Sequence, residues 1–197
     1  MDKPNPTLHP SPRRTARELR AAGRRDFYGP VHKGLRFRHA ALLQRLGQTD
    51  FSGDIGPLVA ELRAHLHMAL VHLVDEEAYV HYRLEARMPG SSRTLDDQHA
   101  GHRRHIAALQ EEIRRLEAEP RRAPDAGHSL YLAFSRFVAD DLSHMAHEEE
   151  TTWPLLCALF SDEELAGIED EIVAGLTPEM SALFVAAMTA ALTPPQD

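Results

Sequence analysis

The amino-acid sequence reads as an all-α protein, an up-down-up-down four-helix bundle with short extra helices at its N-terminal and C-terminal ends. Three observations predict this. Strand signals are weak, with few valines and isoleucines and no alternating β-branched runs. Four long segments repeat apolar residues at steps of three and four, the period of one helix face. The connections between them are short and marked by proline and glycine, which favours antiparallel neighbours.

Residues 1–26 are expected to form a basic arm. The first ten hold three prolines and read as a disordered tail; Ser11 and Pro12 then open a short helix that Gly23 closes. Its arginine-rich face reads as solvated rather than as a binding arm. Residues 27–160 make the bundle. The first helix opens at Gly29 and Pro30 and runs to about Gly47, with His32, Leu35, His39, Leu42 and Leu46 on one stripe. Gly53 to Pro57 turns into the second, whose inward positions are Leu58, Leu62, His65, Ala69, His72, Glu76 and Tyr79 before Pro89 and Gly90 stop it. The third runs from about Thr94 to Ala118 on Leu95, His99, His102, Ile106, Leu109, Ile113 and Leu116. Pro120, Pro124 and Gly127 make the next connection. The fourth helix carries Tyr131, Phe134, Val138, His144, Glu148 and Leu155, with Pro154 marking a kink or its end. Residues 161–197 are a helical extension. Ser161 and Glu164 form a capping box for a helix ending near Gly175. Thr177 and Pro178 start another, whose Met180, Leu183, Phe184, Ala187, Met188, Ala191 and Leu192 make an apolar stripe. That stripe is expected to pack on the bundle, a homodimer or signalling-partner contact being its other reading.

Composition bounds what such a bundle does. At 197 residues the chain buries one sizeable core. The formal charge is -8, but residues 1–25 carry +5 and the rest -13, so the body is a poor binder of nucleic acid. The single cysteine, Cys157, has no intrachain partner; it reads as an apolar filler and points to a reducing compartment. No apolar stretch approaches the ~18 residues that span a bilayer. The first residues lack the apolar segment of a secretory signal. The chain is expected to be soluble and cytoplasmic, with no membrane partner.

Polar residues on the inward stripes carry the chemistry. A histidine followed four residues later by a glutamate occurs twice, as His72 with Glu76 and as His144 with Glu148. On a helix such a pair offers an imidazole nitrogen and a carboxylate oxygen to one point. An unpaired histidine lies about forty residues upstream of each pair: His32 for the first, His102 with His99 beside it for the second. His32 and His72 each lie about 15 residues from the turn that joins their helices, so at ~1.5 Å per residue they share one height. The same counting brings His102 level with His144. Burying two carboxylates close together costs on the order of several kcal/mol each unless cations compensate. The inward set His32, His72, Glu76, His99, His102, His144 and Glu148 therefore reads as a dinuclear metal site. Imidazole with carboxylate and no thiolate suits iron or manganese, and zinc less specifically.

These residues resemble the hemerythrin-like, or HHE cation-binding, family: His32, His72 with Glu76, the His99 and His102 segment, and His144 with Glu148, over about residues 28–160. The resemblance implies a non-haem di-iron site in which His32, His72, His99 or His102, and His144 are terminal ligands and Glu76 and Glu148 bridge two irons. The third helix departs from the pattern, since oxygen-carrying members place two histidines four apart there and this chain places them three apart. His102 heads the cleaner apolar stripe and is the first choice of the two. Glu149 is a substitute for Glu148, because some members use the position one residue later.

What the resemblance implies of function is a di-iron protein that binds dioxygen, nitric oxide or peroxide for sensing, scavenging or delivery. The alternatives are a di-iron oxidoreductase and an iron-storage or iron-centre repair protein. His39 and His65 read as a hydrogen-bonded layer below the site, with a proton path as the second reading. Tyr79 reads as ordinary packing, with closure of the site's solvent side as the second reading. His81, His105 and His147 fall off the inward stripes and are expected to be exposed.

Overall fold

Helices account for all the regular structure of the residues that this computed structural model describes, 14–118 and 123–192, and no strand occurs among them. A short α1 (Ala16–Ala21) precedes α2 (Gly29–Gln48) and α3 (Gly56–Asp75). Both long helices start in one way: a carboxylate three or two residues upstream accepts the first free N–H, and a proline follows where the missing donor costs nothing. Asp26 serves Gly29 at 3.0 Å ahead of Pro30, and Asp54 serves Gly56 at 2.9 Å ahead of Pro57. A π-helical turn, Glu76–His81, carries α3 into α4 (Tyr82–Arg87), after which Gly90 at φ +86° reverses the chain. Then come α5 (Arg93–Ala118) and α6 (Ala123–His147). A second π-helical turn, Glu148–Thr152, joins α6 to α7 (Trp153–Leu159), followed by α8 (Asp162–Gly175) and α9 (Pro178–Ala190).

The long rods pack side by side: α5 against α6, α2 against α6 and α3, and α3 against α5. Their apolar stripes build two clusters with the polar residues between them. At the end holding the α2–α3 connection lie Leu42, Leu62, Leu66, Leu109, Ile113 and Phe134. At the other lie Leu84, Leu95, Trp153, Leu156 and Leu165. Burial of side chains this size stabilises by roughly 1.5–3 kcal/mol each. On one flank α9 sets Met180, Phe184 and Ala187 against Leu35, Met68 and Met145. Gly34 permits this, because a Cβ there would come within 2.9 Å of the Met188 backbone nitrogen.

Several expectations change. The helix start at Ser11 and Pro12 lies outside the described residues, and α1 opens at Ala16 on a Thr15–Glu18 capping box. Three arginines of the arm have partners, and of these Arg20 and Arg25 remain exposed. Arg24 bonds Asp162 and the Cys157 and Phe160 carbonyls, Arg25 pairs with Glu169, and Arg20 stacks over Trp153 at 4.8 Å. The fourth rod begins at Ala123, so Pro124 and Gly127 lie within its first turns. Pro154 does not end it, because the π turn takes up the missing donor and the rod continues to Leu159. No helix among the described residues is long and apolar enough to cross a membrane.

Candidate metal centre

Between the two apolar clusters the four rods bring six polar side chains to one place. His32, His72, Glu76 and Glu148 form one buried group, and Glu76, His99, His144 and Glu148 form a second. Within each group one ligand atom per residue lies within 4.8 Å of all the others. Glu76 and Glu148 belong to both groups, so each offers its oxygens to two centres. Glu76 Oε1 is 3.3 Å from His72 Nε2 and its Oε2 is 3.4 Å from His99 Nε2. Glu148 Oε2 is 3.3 Å from His32 Nε2 and 3.4 Å from His144 Nε2. His99 and His144 point their Nε2 atoms at one another, 3.1 Å apart.

The electrostatics of this cluster suit a cation, and its residues could hold one. All four carboxylate oxygens, and Nε2 of His32 and His72, are buried with no hydrogen-bond partner. Such orphans are rare in folded proteins and carry a desolvation cost that metal coordination removes. Burial and the charge of Glu76 push Glu148 up to about 7. Burial acts on Glu76 in the same sense, but His72, His32 and His99 outweigh it and hold that carboxyl low. Burial pushes His144 down to about 3, which keeps the imidazole neutral and able to ligate. Nitrogen and oxygen donors without sulfur, in two sets of four, fit a pair of divalent cations such as iron, manganese or zinc.

Each ligand imidazole needs a partner for its other nitrogen, which fixes tautomer and ring angle. His32 donates from Nδ1 to Glu149 at 3.0 Å, His99 to Glu77 at 3.1 Å, and His144 to the Gln98 side-chain oxygen at 2.9 Å. Arg36 grips Glu149, and Arg103 grips Glu77. Burial opposes ionisation of Glu149, yet His32 and Arg36 hold it at about 2. Glu149 therefore orients His32, where the sequence suggested a substitute for Glu148. These contacts expose an internal repeat. His32, Gly34 and Arg36 in α2 recur as His99, Gly101 and Arg103 in α5. His72, Glu76 and Glu77 recur as His144, Glu148 and Glu149. The exchange is reciprocal: the second half supplies Glu149 to His32, and the first half supplies Glu77 to His99.

Of the seven candidate ligands, the structure gathers His32, His72, Glu76, His99, His144 and Glu148 and leaves out His102. That ring is buried 4.8 Å from His144, but its Nδ1 faces Asp141 at 3.4 Å instead of the carboxylate pair. Asp141 belongs to a separate buried chain, in which His65 Nε2 meets His39 Nδ1 at 2.9 Å and His39 Nε2 donates to Asp141 at 2.7 Å. The expected His39–His65 layer is present and ends on a carboxylate the sequence did not single out. His81 is buried, not exposed; it donates to Asp96 at 2.8 Å and lies 4.8 Å from the His99 ring. The π turn causes this, because its i→i+5 bonds bring the residue five after Glu76 back to the core face. His105 and His147 are half-buried. Tyr79 packs in the outer cluster, with its hydroxyl beside Gly175. The phenol at the centre is Tyr28, only 1 % exposed, stacked on His32 at 5.0 Å with its hydroxyl unpartnered. Its position four residues before His32, one helical turn upstream, is the signal that could have found it.

No known protein family, curated protein or solved structure matches the chain.

Proposed function

We propose that this chain is a hemerythrin-like domain, an up-down-up-down bundle around a non-haem di-iron site, that binds dioxygen, nitric oxide or peroxide for sensing, scavenging or delivery. In this reading His32, His72, His99 and His144 are terminal ligands, and Glu76 and Glu148 bridge. One observation carries it: two buried four-residue groups share both glutamates, and the carboxylate oxygens have no other partner. When bound, the iron pair supplies a reducing, Lewis-acidic centre for a small oxygen- or nitrogen-containing ligand. The chain's own residues do the rest. Glu149, Glu77 and Gln98 hold three imidazoles in ligating tautomers. The apolar clusters cover the group at its two ends.

A second reading, an oxidoreductase acting on peroxide or nitric oxide, is favoured by Tyr28. A buried phenol beside the carboxylates holds a proton where a bound ligand would accept it, and proton delivery promotes reduction over intact release. Protein expressed in iron-replete medium should contain about two irons per chain. Its anaerobically reduced form should respond optically to oxygen. Recovery of the spectrum through many oxygen and vacuum cycles selects carriage; progressive loss selects the reactive reading. Finding no metal, or one zinc, removes both.

A further inference from the structure

A cavity of about 420 Å³ opens between α2, α3 and the C-terminal pair α8 and α9. Its floor includes His72 and Glu76, so it ends on one of the two four-residue groups. Its walls are largely apolar: Val31, Ile172, Leu176, Phe184 and Met188. Tyr28 also lines it, and the Tyr28 hydroxyl, fully buried, has no hydrogen-bond partner. A buried hydroxyl without a partner costs free energy that an accepting ligand atom would restore. The volume is within the range of small-molecule sites and far exceeds what a diatomic needs. The repeat is unequal here. Helix α9 packs on α2 at Gly34, whereas Gly101, the matching residue of α5, meets only the Arg104 side chain. The C-terminal extension thus roofs a chamber over one half of the centre.

Charge selects the occupant. Besides Glu76, the wall holds Asp26, Asp75 and Glu169 against one guanidinium, Arg25, which Glu169 already engages. Among the described residues, an anionic head group would find no unpaired cation there. An ammonium would find Asp26 paired with Arg20, Glu169 with Arg25 and Glu76 beside the His72 and His99 imidazoles, so little carboxylate charge is free to offset its desolvation.

We propose that this cavity binds a neutral, mostly apolar organic molecule carrying one hydrogen-bonding oxygen, held by the Tyr28 hydroxyl with its polar end toward His72 and Glu76. The inference deepens the proposed function in one respect only, since it makes the metal pair what the occupant meets. Binding itself does not depend on that reading.

The probe is 1-octanol, titrated calorimetrically into the protein as purified, with the metal content of the same sample measured. One molecule should bind saturably per chain, and affinity should rise about fourfold per methylene from hexanol to octanol. Octanoate should bind about tenfold more weakly or worse. Leu176→Trp, which fills the chamber away from the ligands, should weaken octanol about tenfold or more while leaving metal content unchanged. Tyr28→Phe should weaken it roughly two- to tenfold. Non-saturable uptake, octanoate or octylammonium binding as tightly as the alcohol, or an indifferent Leu176→Trp overturns the proposal. Octanol binding without iron defeats the di-iron reading and leaves the cavity site intact; iron without octanol binding does the reverse.

Discussion

His99 and His102 lie three residues apart on α5, yet only His99 turns its Nε2 toward the carboxylates, 3.4 Å from Glu76. His102 faces Asp141. Apolar periodicity puts both positions inward and gives His102 the cleaner stripe, whereas the ring that faces the carboxylates is that of His99. The difference lies in the partner of each ring. Glu77, behind Arg103, turns His99 toward the centre. His99→Ala should therefore lower iron from about two to about one per chain, whereas His102→Ala should keep the full complement. Plasma emission analysis of the two variants reads this directly; equal loss from both would remove the distinction. The glutamates that hold the imidazoles predict a subtler effect. Glu149→Gln keeps the shape but loses the charge that holds His32, and should weaken metal binding roughly 10–100-fold. Competition against a chelator of known affinity gives the value, and an unchanged affinity would make Glu149 merely a partner for Arg36.

At the scale of elements, periodicity found the helices, their caps and the height of the site. Gly29 with Pro30, the Ser161 box and Thr177 with Pro178 all open helices where expected. Periodicity could not find the π turns, because a change of phase inside a rod has no residue signature of its own. That is why His81, counted at 3.6 residues per turn, seemed to face outward. Glu77 and Asp141 were missed, and Glu149 was given another role, for a different reason: carboxylates at helix surfaces are usually solvated, and only the fold shows what they meet. The partners of the arm's arginines were out of reach likewise, since they lie more than a hundred residues away. The cap of α8 gives a pH test. Arg87 and the Ser161 backbone N–H hold Glu164 down at about 2. Its folded value lies below the unfolded one, about 4.3. Its contribution is therefore complete above that pH and fades as pH falls toward 2. Melting curves of wild type and Glu164→Gln should differ most near neutrality and converge at acid pH; a constant offset would show that the charge is not responsible.

Across the whole molecule, two apolar clusters are separated by a layer rich in buried histidine and carboxylate. Apolar burial passes that layer on the α9 flank, through Leu35, Met68 and Met145, and coordinated metals would add a link between the ends through its middle. Chelation should leave Ile113 and Phe134 protected from hydrogen exchange to a different degree from Leu84 and Leu156, while the loaded protein exchanges both sets with similar free energies. Identical patterns with and without metal would mean that helix continuity alone couples the ends. The π turns at Glu76 and Glu148 have a related consequence. Each of the two rods that carry these glutamates keeps one rotational setting below its glutamate and another above it, so the glutamate acts as a joint between two phases. Substitutions that reshape the chamber and the C-terminal roof leave the phase of the opposite end untouched. The chain can thus alter what reaches the centre while the two glutamates remain its fixed points.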